Sequence, residues 1–90
     1  MKISDIRIRN VEQTSRMLAL VSITIDDMLV IHDIKIIDGP NGYFIAMPNR
    51  KMPNGEYKDI AHPLNSEARK LLHSTILDAY EKHKANEENK

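Results

Sequence analysis

The sequence contains no cysteine, no tryptophan, one phenylalanine and three tyrosines among its 90 residues. The absence of cysteine excludes disulfide bonds, thiolate metal sites and cysteine nucleophiles, and it suits a reducing cytoplasm. No apolar run approaches the ~20 residues that a membrane-spanning helix needs. Residues 1–10 (MKISDIRIRN) also lack the uninterrupted apolar stretch of a signal peptide. We therefore expect a cytoplasmic protein that has no membrane partner.

An excess of charge of one sign is also missing, because 13 basic residues balance 13 acidic residues. A net charge of zero argues against bulk attraction to nucleic acid or anionic lipid, although it allows a local patch. The clearest local excess lies in residues 50–58, where Arg50, Lys51 and Lys58 outnumber Glu56. An anionic partner is therefore expected to contact the C-terminal half of the chain.

Alternating apolar residues predict two strands joined by a hairpin. One face of the first strand, at residues 17–25, consists of Met17, Ala19, Val21, Ile23 and Ile25. Asp26 and Asp27 separate it from a second β-branched run at 28–37, which predicts a tight turn between antiparallel strands. The outer face of the hairpin also carries apolar side chains, namely Leu18, Leu20, Leu29 and Ile31. We therefore expect a helix or another chain to cover part of that outer face.

Turn residues delimit the other predicted strands. Isoleucines alternate with charged residues at 2–9, which predicts a half-exposed first strand. The sequence DGPNG at 38–42 predicts a turn into a fourth strand at 43–47. Prolines and a glycine at 48–55 predict a basic loop without regular structure, and residues 56–61 predict a short edge strand.

The C-terminal part of the chain predicts one helix. Asn65 and Ser66 are candidate N-caps, and Glu67 suits the positive end of the helix dipole. The packing stripe expected at 3- and 4-residue spacing is formed by Ala68, Leu71, Leu72, Thr75, Ile76, Ala79, Tyr80 and His83. We expect one domain at residues 1–84 and a polar, disordered tail at 85–90. The predicted class is α+β, a small, largely antiparallel sheet of four to five strands with the C-terminal helix packed on it.

The sequence has no recognisable grouping of catalytic acids, bases or metal ligands. His32 and Asp33 are neighbours in a strand, so we expect their side chains on opposite faces, unable to share one ion or proton. His62, before Pro63, is interpreted as a structural histidine, because no nucleophile elbow, phosphate-binding glycine motif or metal-ligand spacing accompanies it. We therefore expect no enzymatic activity, no metal, no cofactor and no small-molecule substrate.

Nucleic-acid binding has a positive signal in two segments. Arg50 and Lys51 lie in the predicted basic loop, where long cationic side chains can reach phosphates. The helix face opposite the packing stripe is expected to carry Lys70, His73, Leu77 and Lys84, with Arg69 at its margin. Acidic residues dilute this face, so these residues alone favour a merely solvated surface over nucleic-acid binding. The few aromatic residues add little support for base stacking, because most are expected in the core or at a dimer interface.

Three motifs in order along the chain are specific: residues 31–39 (IHDIKIIDG), 42–48 (GYFIAMP) and 55–66 (GEYKDIAHPLNS). Together with the opening strand they resemble the stage V sporulation protein G (SpoVG) family, and the resemblance covers residues 1 to 84. It implies a small bacterial cytoplasmic protein that dimerises through its sheet and binds DNA or RNA as a regulator linked to sporulation, septation and the cell cycle.

The resemblance also implies which residues contact nucleic acid. They are Arg50 and Lys51 after the Ala-Met-Pro motif, Arg69 and Lys70 early in the helix, and Lys58 as a weaker candidate. Asn49, Met52 and Pro40 differ from the residues that are common at these positions in the family. These differences do not change the charge of the loop, but they leave open which nucleic-acid sequence is preferred. The alternative is a protein-interaction module, in which Leu77 and the outer-face leucines of the hairpin bind another protein.

Overall fold

The computed structural model describes residues 1–11 and 16–88. Within these ranges the elements are β1 (Ile3–Asn10), β2 (Met17–Ile25), β3 (Leu29–Gly39), β4 (Gly42–Ala46), β5 (Asn49–Lys51), β6 (Tyr57–Asp59) and α1 (Ser66–Glu88). Strands β1 to β4 form one antiparallel sheet in sequence order, while β5 and β6 form a separate antiparallel pair, called the ribbon below. The predicted α+β class, an antiparallel sheet followed by one C-terminal helix, is confirmed.

The core lies between the inner face of the sheet and α1. Its buried residues are Ala19, Val21 and Ile23 of β2, Ile34 and Ile36 of β3, and Leu72, Ile76 and Tyr80 of α1, each at most 4% exposed. The alternation predicted for β2 is therefore confirmed, since its odd-numbered central residues all point inward. Burial of each large aliphatic side chain contributes about 1.5–3 kcal/mol to folding.

The hairpin between β2 and β3 depends on two aspartates with left-handed backbones. Asp26 and Asp27 have φ values of 53° and 55°, and the Met28 N–H donates to the Ile25 carbonyl oxygen at 3.0 Å. Positive φ at both central residues is the geometry of a type I′ turn, which matches the twist of antiparallel strands. Aspartate adopts this conformation more readily than most residues. The predicted tight hairpin is confirmed.

A β-bulge interrupts the alternation of β3. Val21 pairs with Ile34, whereas Ile23 pairs with Ile31, so one residue of β2 faces two residues of β3. The second of these two, Asp33, has a φ of 65°. The extra residue changes the phase of the strand, and Ile31 therefore packs against the core with Ile34. The expectation that Ile31 lies on the outer face is wrong for this reason.

The same bulge brings polar side chains together on the outer face of the sheet. His32 and Asp33 both line a shallow groove there with Ser22, Arg7 and Arg9. The His32 Nδ1 atom lies 2.8 Å from the Ser22 hydroxyl oxygen, within hydrogen-bond distance. The expectation that His32 and Asp33 lie on opposite faces is therefore wrong, because strict alternation does not hold across a bulge.

Helix α1 begins at the expected cap. The Asn65 Oδ1 atom accepts a hydrogen bond from the Ala68 N–H at 2.8 Å, and the Asn65 carbonyl accepts one from the Arg69 N–H at 3.1 Å. Asn65 rather than Ser66 is therefore the N-cap. The helix continues to Glu88, four residues beyond the expected domain end at Lys84, and residues 89–90 of the expected tail lie outside the described part.

The buried face of α1 is rotated relative to the expected stripe. Leu72, Ile76 and Tyr80 are buried as expected, but Leu71 is 41% exposed. Leu77, expected on the opposite face, instead packs against the core. Leu71 lies four residues before Thr75 and Leu77 lies three residues before Tyr80. Both therefore fit a stripe of 3- and 4-residue spacing, and the sequence pattern alone does not distinguish them.

The ribbon replaces the predicted basic loop. Arg50 and Lys51 lie in β5 and pair with β6, although the prolines nearby led us to expect no regular structure at 48–55. Pro53 occupies the connecting turn, where no ladder hydrogen bond is lost, and Gly55 supplies a φ of 90°. The Met52 N–H donates to the Glu56 carbonyl at 2.7 Å and closes the turn. The short strand expected within 56–61 is confirmed by β6.

Candidate nucleic-acid interface

Two cations lie directly opposite each other in the ribbon. Arg50 of β5 pairs with Lys58 of β6, so both side chains project from the same face. Both residues are exposed, and neither forms an ion pair or side-chain hydrogen bond within residues 1–11 and 16–88. Like charges in directly opposite positions destabilise a strand pair. An anion bound between them would remove that repulsion.

The other face of the ribbon carries a cation and an aromatic ring. Lys51 pairs with Tyr57, and Asn49 pairs with Asp59 on the same face. Tyr57 is 70% exposed. Sequence reasoning did not select Tyr57 for the interface. The sequence did contain a sign of its exposure, because an aromatic residue in a short edge strand has no core to pack against.

A groove of about 350 Å³ lies where the ribbon, β4 and α1 meet. The side of the groove contributed by the ribbon consists of Asn49 and Asp59, and the side contributed by the helix consists of Arg69 and His73. Its remaining lining residues are Ile45, Ala46, Met47, His62 and Pro63. Arg69 therefore lies next to the face of the ribbon that carries Asn49 and Asp59.

The five predicted interface residues fall into two groups. Arg50 and Lys58 share one face of the ribbon, while Lys51 lies on the other face, towards the groove that Arg69 lines. Lys70 is exposed and follows Arg69 in the first turns of α1, about 100° further round the helix. The adjacent pair Arg50 and Lys51 is therefore split between two surfaces, because successive side chains of a strand alternate.

Lys84 does not belong to a free cationic helix face. Its ammonium donates to the Tyr43 hydroxyl at 3.0 Å and lies 4.8 Å from the Tyr43 ring centroid and 5.4 Å from that of Tyr80. The hydrogen bond to Tyr43 is the main reason that the pKa of Lys84 is raised above its ordinary value of 10.5. The expected grouping of Lys84 and Leu77 opposite the packing stripe is wrong, because the buried face is rotated towards both residues.

The histidines lie in different surroundings. His62 and His73 both line the groove, whereas the His83 Nε2 atom lies 3.2 Å from the Asn10 side-chain oxygen, at the other end of α1. In the described ranges no three histidine, aspartate or glutamate side chains are grouped so that they could hold a metal ion. No helix in the same ranges is long and apolar enough to cross a membrane.

Comparison with known proteins gives a consistent result. The sequence profile of the SpoVG family matches residues 1–82. Proteins named "Putative septation protein SpoVG" are 57% identical in Caldanaerobacter subterraneus subsp. tengcongensis, over 100% of this chain and 99% of the relative, and 54% identical in Clostridium acetobutylicum, over 100% and 95%. A relative of the same name from Desulforudis audaxviator is 53% identical over 90% of this chain and 92% of its own length. The chain therefore belongs to the SpoVG family.

Proposed function

We propose that this protein is a non-enzymatic, dimeric regulator of the bacterial cytoplasm that binds DNA or RNA through the ribbon and the start of α1. Membership of the SpoVG family supports a link to septation and sporulation. The observation that carries the binding proposal is the cross-strand pair of Arg50 and Lys58. A phosphate between them relieves their repulsion and accepts a charge-assisted hydrogen bond from each.

The other predicted residues form a second basic surface on the groove side of the ribbon. Lys51 lies on the groove side of the ribbon, and Arg69 reaches the same groove from the helix. Lys70 adds a further exposed cation next to Arg69. Phosphate contacts fix position without reading sequence, so this part of the surface supplies affinity for any strand.

The test is a titration of a labelled nucleic-acid fragment with wild type and with the double variant Arg50→Ala/Lys58→Ala. Two salt concentrations are used, because each lost phosphate contact should reduce the slope of log affinity against log salt by about 0.9 on duplex DNA or about 0.7 on a single strand. We expect weaker binding to every sequence tested. Circular dichroism checks that both proteins are folded.

The matched control is Lys2→Ala/Lys82→Ala, which removes the same charge from exposed lysines outside the ribbon and groove. It should change the salt slope much less than the ribbon variant does. Equal slopes for all three proteins would show that the ribbon is only solvated, and the proposal would be abandoned.

The dimer is proposed to form through the outer face of the sheet. Helix α1 covers the inner face, whereas the outer face presents the Phe44 ring, 42% exposed, and the half-buried Leu20. Leu20 lies between Arg9 and Lys35 of the neighbouring strands. Leu20→Glu should therefore be tolerated by the fold and should convert a species of twice 10.3 kDa into a monomer in sedimentation. A wild-type monomer at micromolar concentration would contradict the proposal.

One observation favours a second candidate function, protein binding. Large apolar side chains are exposed near the start of α1 and the β2–β3 turn, namely Met28 at 88%, Leu29 at 59%, Ile60 at 66% and Leu64 at 89%. Leu77, which the sequence suggested for protein binding, packs against the core instead. Complexes through these apolar residues should be far less sensitive to salt than complexes through the ribbon.

A further inference from the structure

The groove beside the ribbon has the chemical character of a site for one nucleobase. Ile45 and Met47 are apolar lining residues, and Asn49, Asp59 and Arg69 are polar or charged lining residues of the same groove. Its volume of about 350 Å³ lies at the small end of the range for pockets that enclose small molecules. A flat heterocycle with polar edges matches this combination, because its faces need apolar contact and its edges need hydrogen bonds.

Two charged groups at the groove narrow the choice of base. Asp59 offers only hydrogen-bond acceptors, and Arg69 offers only donors. In the described ranges neither residue forms an ion pair or a side-chain hydrogen bond, so both are available to a ligand. Guanine presents amino and imino donors beside the O6 and N7 acceptors, so it can satisfy a carboxylate and a guanidinium together. Thymine and uracil lack the amino donor, and adenine and cytosine lack an imino N–H beside their amino group. Guanine alone therefore offers two adjacent N–H donors to a carboxylate.

Tyr57 provides a stacking surface next to the groove. It is 70% exposed and lies two residues from Asp59 on the same face of β6. Residues at i and i+2 of a strand are about 6.6 Å apart, which is about twice the 3.4 Å rise per base of one strand in duplex DNA. Neighbouring bases can occupy Tyr57 and the groove together only when they are unstacked from each other.

We infer that this face of the protein binds single-stranded nucleic acid, with one base stacked on Tyr57 and an adjacent guanine inserted in the groove between Asp59 and Arg69. The inference rests on the proposed function, and it adds what phosphate contacts at Arg50 and Lys58 cannot supply, a preference for unpaired strands and for one base. His62 and His73 line the same groove and are further polar contacts for the inserted base.

The first experiment removes only the base. Wild-type protein is titrated with a thymidine oligonucleotide carrying one central guanine, with the same strand carrying an abasic residue there, and with the guanine strand paired to its complement. All of these strands keep their phosphates. We expect the guanine strand to bind at least about 5-fold more tightly than the abasic strand, and also more tightly than the duplex.

Failure of the inference differs from failure of the proposed function. Salt-dependent binding of equal strength to the guanine and abasic strands would overturn the base site and leave the phosphate surface intact. Absence of binding to all three probes would overturn both proposals.

The second experiment asks whether Asp59→Asn strengthens binding to every strand or removes the preference for guanine. Asp59→Asn removes a negative charge next to cations, so a surface that contacted only phosphates would bind every strand more tightly. A groove that holds guanine loses its charged acceptor instead, and the preference for guanine over the abasic strand, at least about 5-fold in wild type, should be lost. Asp78→Asn, an exposed carboxylate on α1, is the matched control and should leave that preference unchanged.

Tyr57 is tested by replacing its ring in two ways. Tyr57→Phe keeps the stacking surface and should bind the guanine strand like wild type. Tyr57→Ala removes it and should weaken binding by about 5- to 150-fold, the range found for loss of base–aromatic stacking. Equal affinity of the alanine and phenylalanine variants would show that no base stacks there. Both changes are at a highly exposed position, so the fold should be retained.

Discussion

The sheet with its helix and the ribbon are stabilised in different ways. The sheet and α1 share a continuous apolar core, in which Ile23, Ile34, Ile36 and Ile76 have no exposed surface. The ribbon has no comparable core, since all three residues of β6 and both basic residues of β5 are exposed. Backbone hydrogen bonds hold it instead, among them the bond from the Ile60 N–H to the Pro48 carbonyl at 2.7 Å.

This difference separates folding from binding along the chain. Side chains of the core cannot change without loss of packing, because protein interiors are close-packed. Side chains of β6 and the two basic side chains of β5 are exposed, so packing places few limits on their identity. Substitutions in the two regions should therefore affect different measurements, and the predictions below compare them.

The largest effect is expected in the core. Ile76→Ala removes a fully buried side chain of α1 and should lower the free energy of unfolding by about 2–5 kcal/mol, because the cavity closes only partly. Urea denaturation measures this change. Leu64→Ala, at a residue that is 89% exposed, is the control and should stay within about 0.5 kcal/mol of wild type. Similar losses at both positions would mean that exposed apolar residues also stabilise the fold.

A smaller effect is expected at the helix cap. Asn65→Ala removes the acceptor for the Ala68 N–H and should cost about 1 kcal/mol. Ser66→Ala should have a much smaller effect, because Ser66 already lies within the helix. Thermal unfolding of the two variants distinguishes the N-cap candidates that the sequence left open. A larger loss for Ser66→Ala would contradict this assignment.

The sequence predicted the parts of the fold that depend on local pattern. The alternation of β2, the turn at Asp26 and Asp27 and the cap at Asn65 are each determined by neighbouring residues, and each is confirmed. The sequence did not predict the bulge at Asp33. A single aspartate inside a β-branched run gives no local sign that the alternation of side chains changes. Consequently the faces of Ile31 and His32 were assigned incorrectly.

The candidate site could be predicted only in part. The basic residues were found from charge and family resemblance, since both are properties of the sequence. Their division between the two faces of the ribbon required the strand pairing of Arg50 with Lys58, which proline content had argued against. The groove joins residues from β4, the ribbon and α1, and only the tertiary structure shows that these segments meet.

The variant Lys84→Met tests the hydrogen bond between Lys84 and Tyr43 at the margin of the core. Its pKa is raised, chiefly by the hydrogen bond to Tyr43, so the protonated form is favoured in the folded state. The resulting stability is present below the ordinary lysine pKa of 10.5 and is lost as the pH rises through the raised value. Lys84→Met should lower the midpoint of thermal unfolding at neutral pH and should flatten its dependence on pH above 10.5. An unchanged alkaline profile would assign that dependence to other groups.

The smallest expected effect on stability is a gain, at Lys58. Because the same substitution should weaken binding, it compares the two regions most directly. Lys58→Glu places an acid opposite Arg50, replacing a repulsive cross-strand pair with an attractive one, and should stabilise the fold by about 0.2–1 kcal/mol. The same change should weaken nucleic-acid binding, because it removes one phosphate contact and adds repulsion. Lys82→Glu alters net charge equally on α1, where it faces Asp78 four residues earlier, and should destabilise slightly. Denaturation and titration are measured on the same preparations. If Lys58→Glu weakened both folding and binding, the pair of Arg50 and Lys58 would not destabilise the folded protein. Residues for folding and residues for binding would then not be separate at this pair.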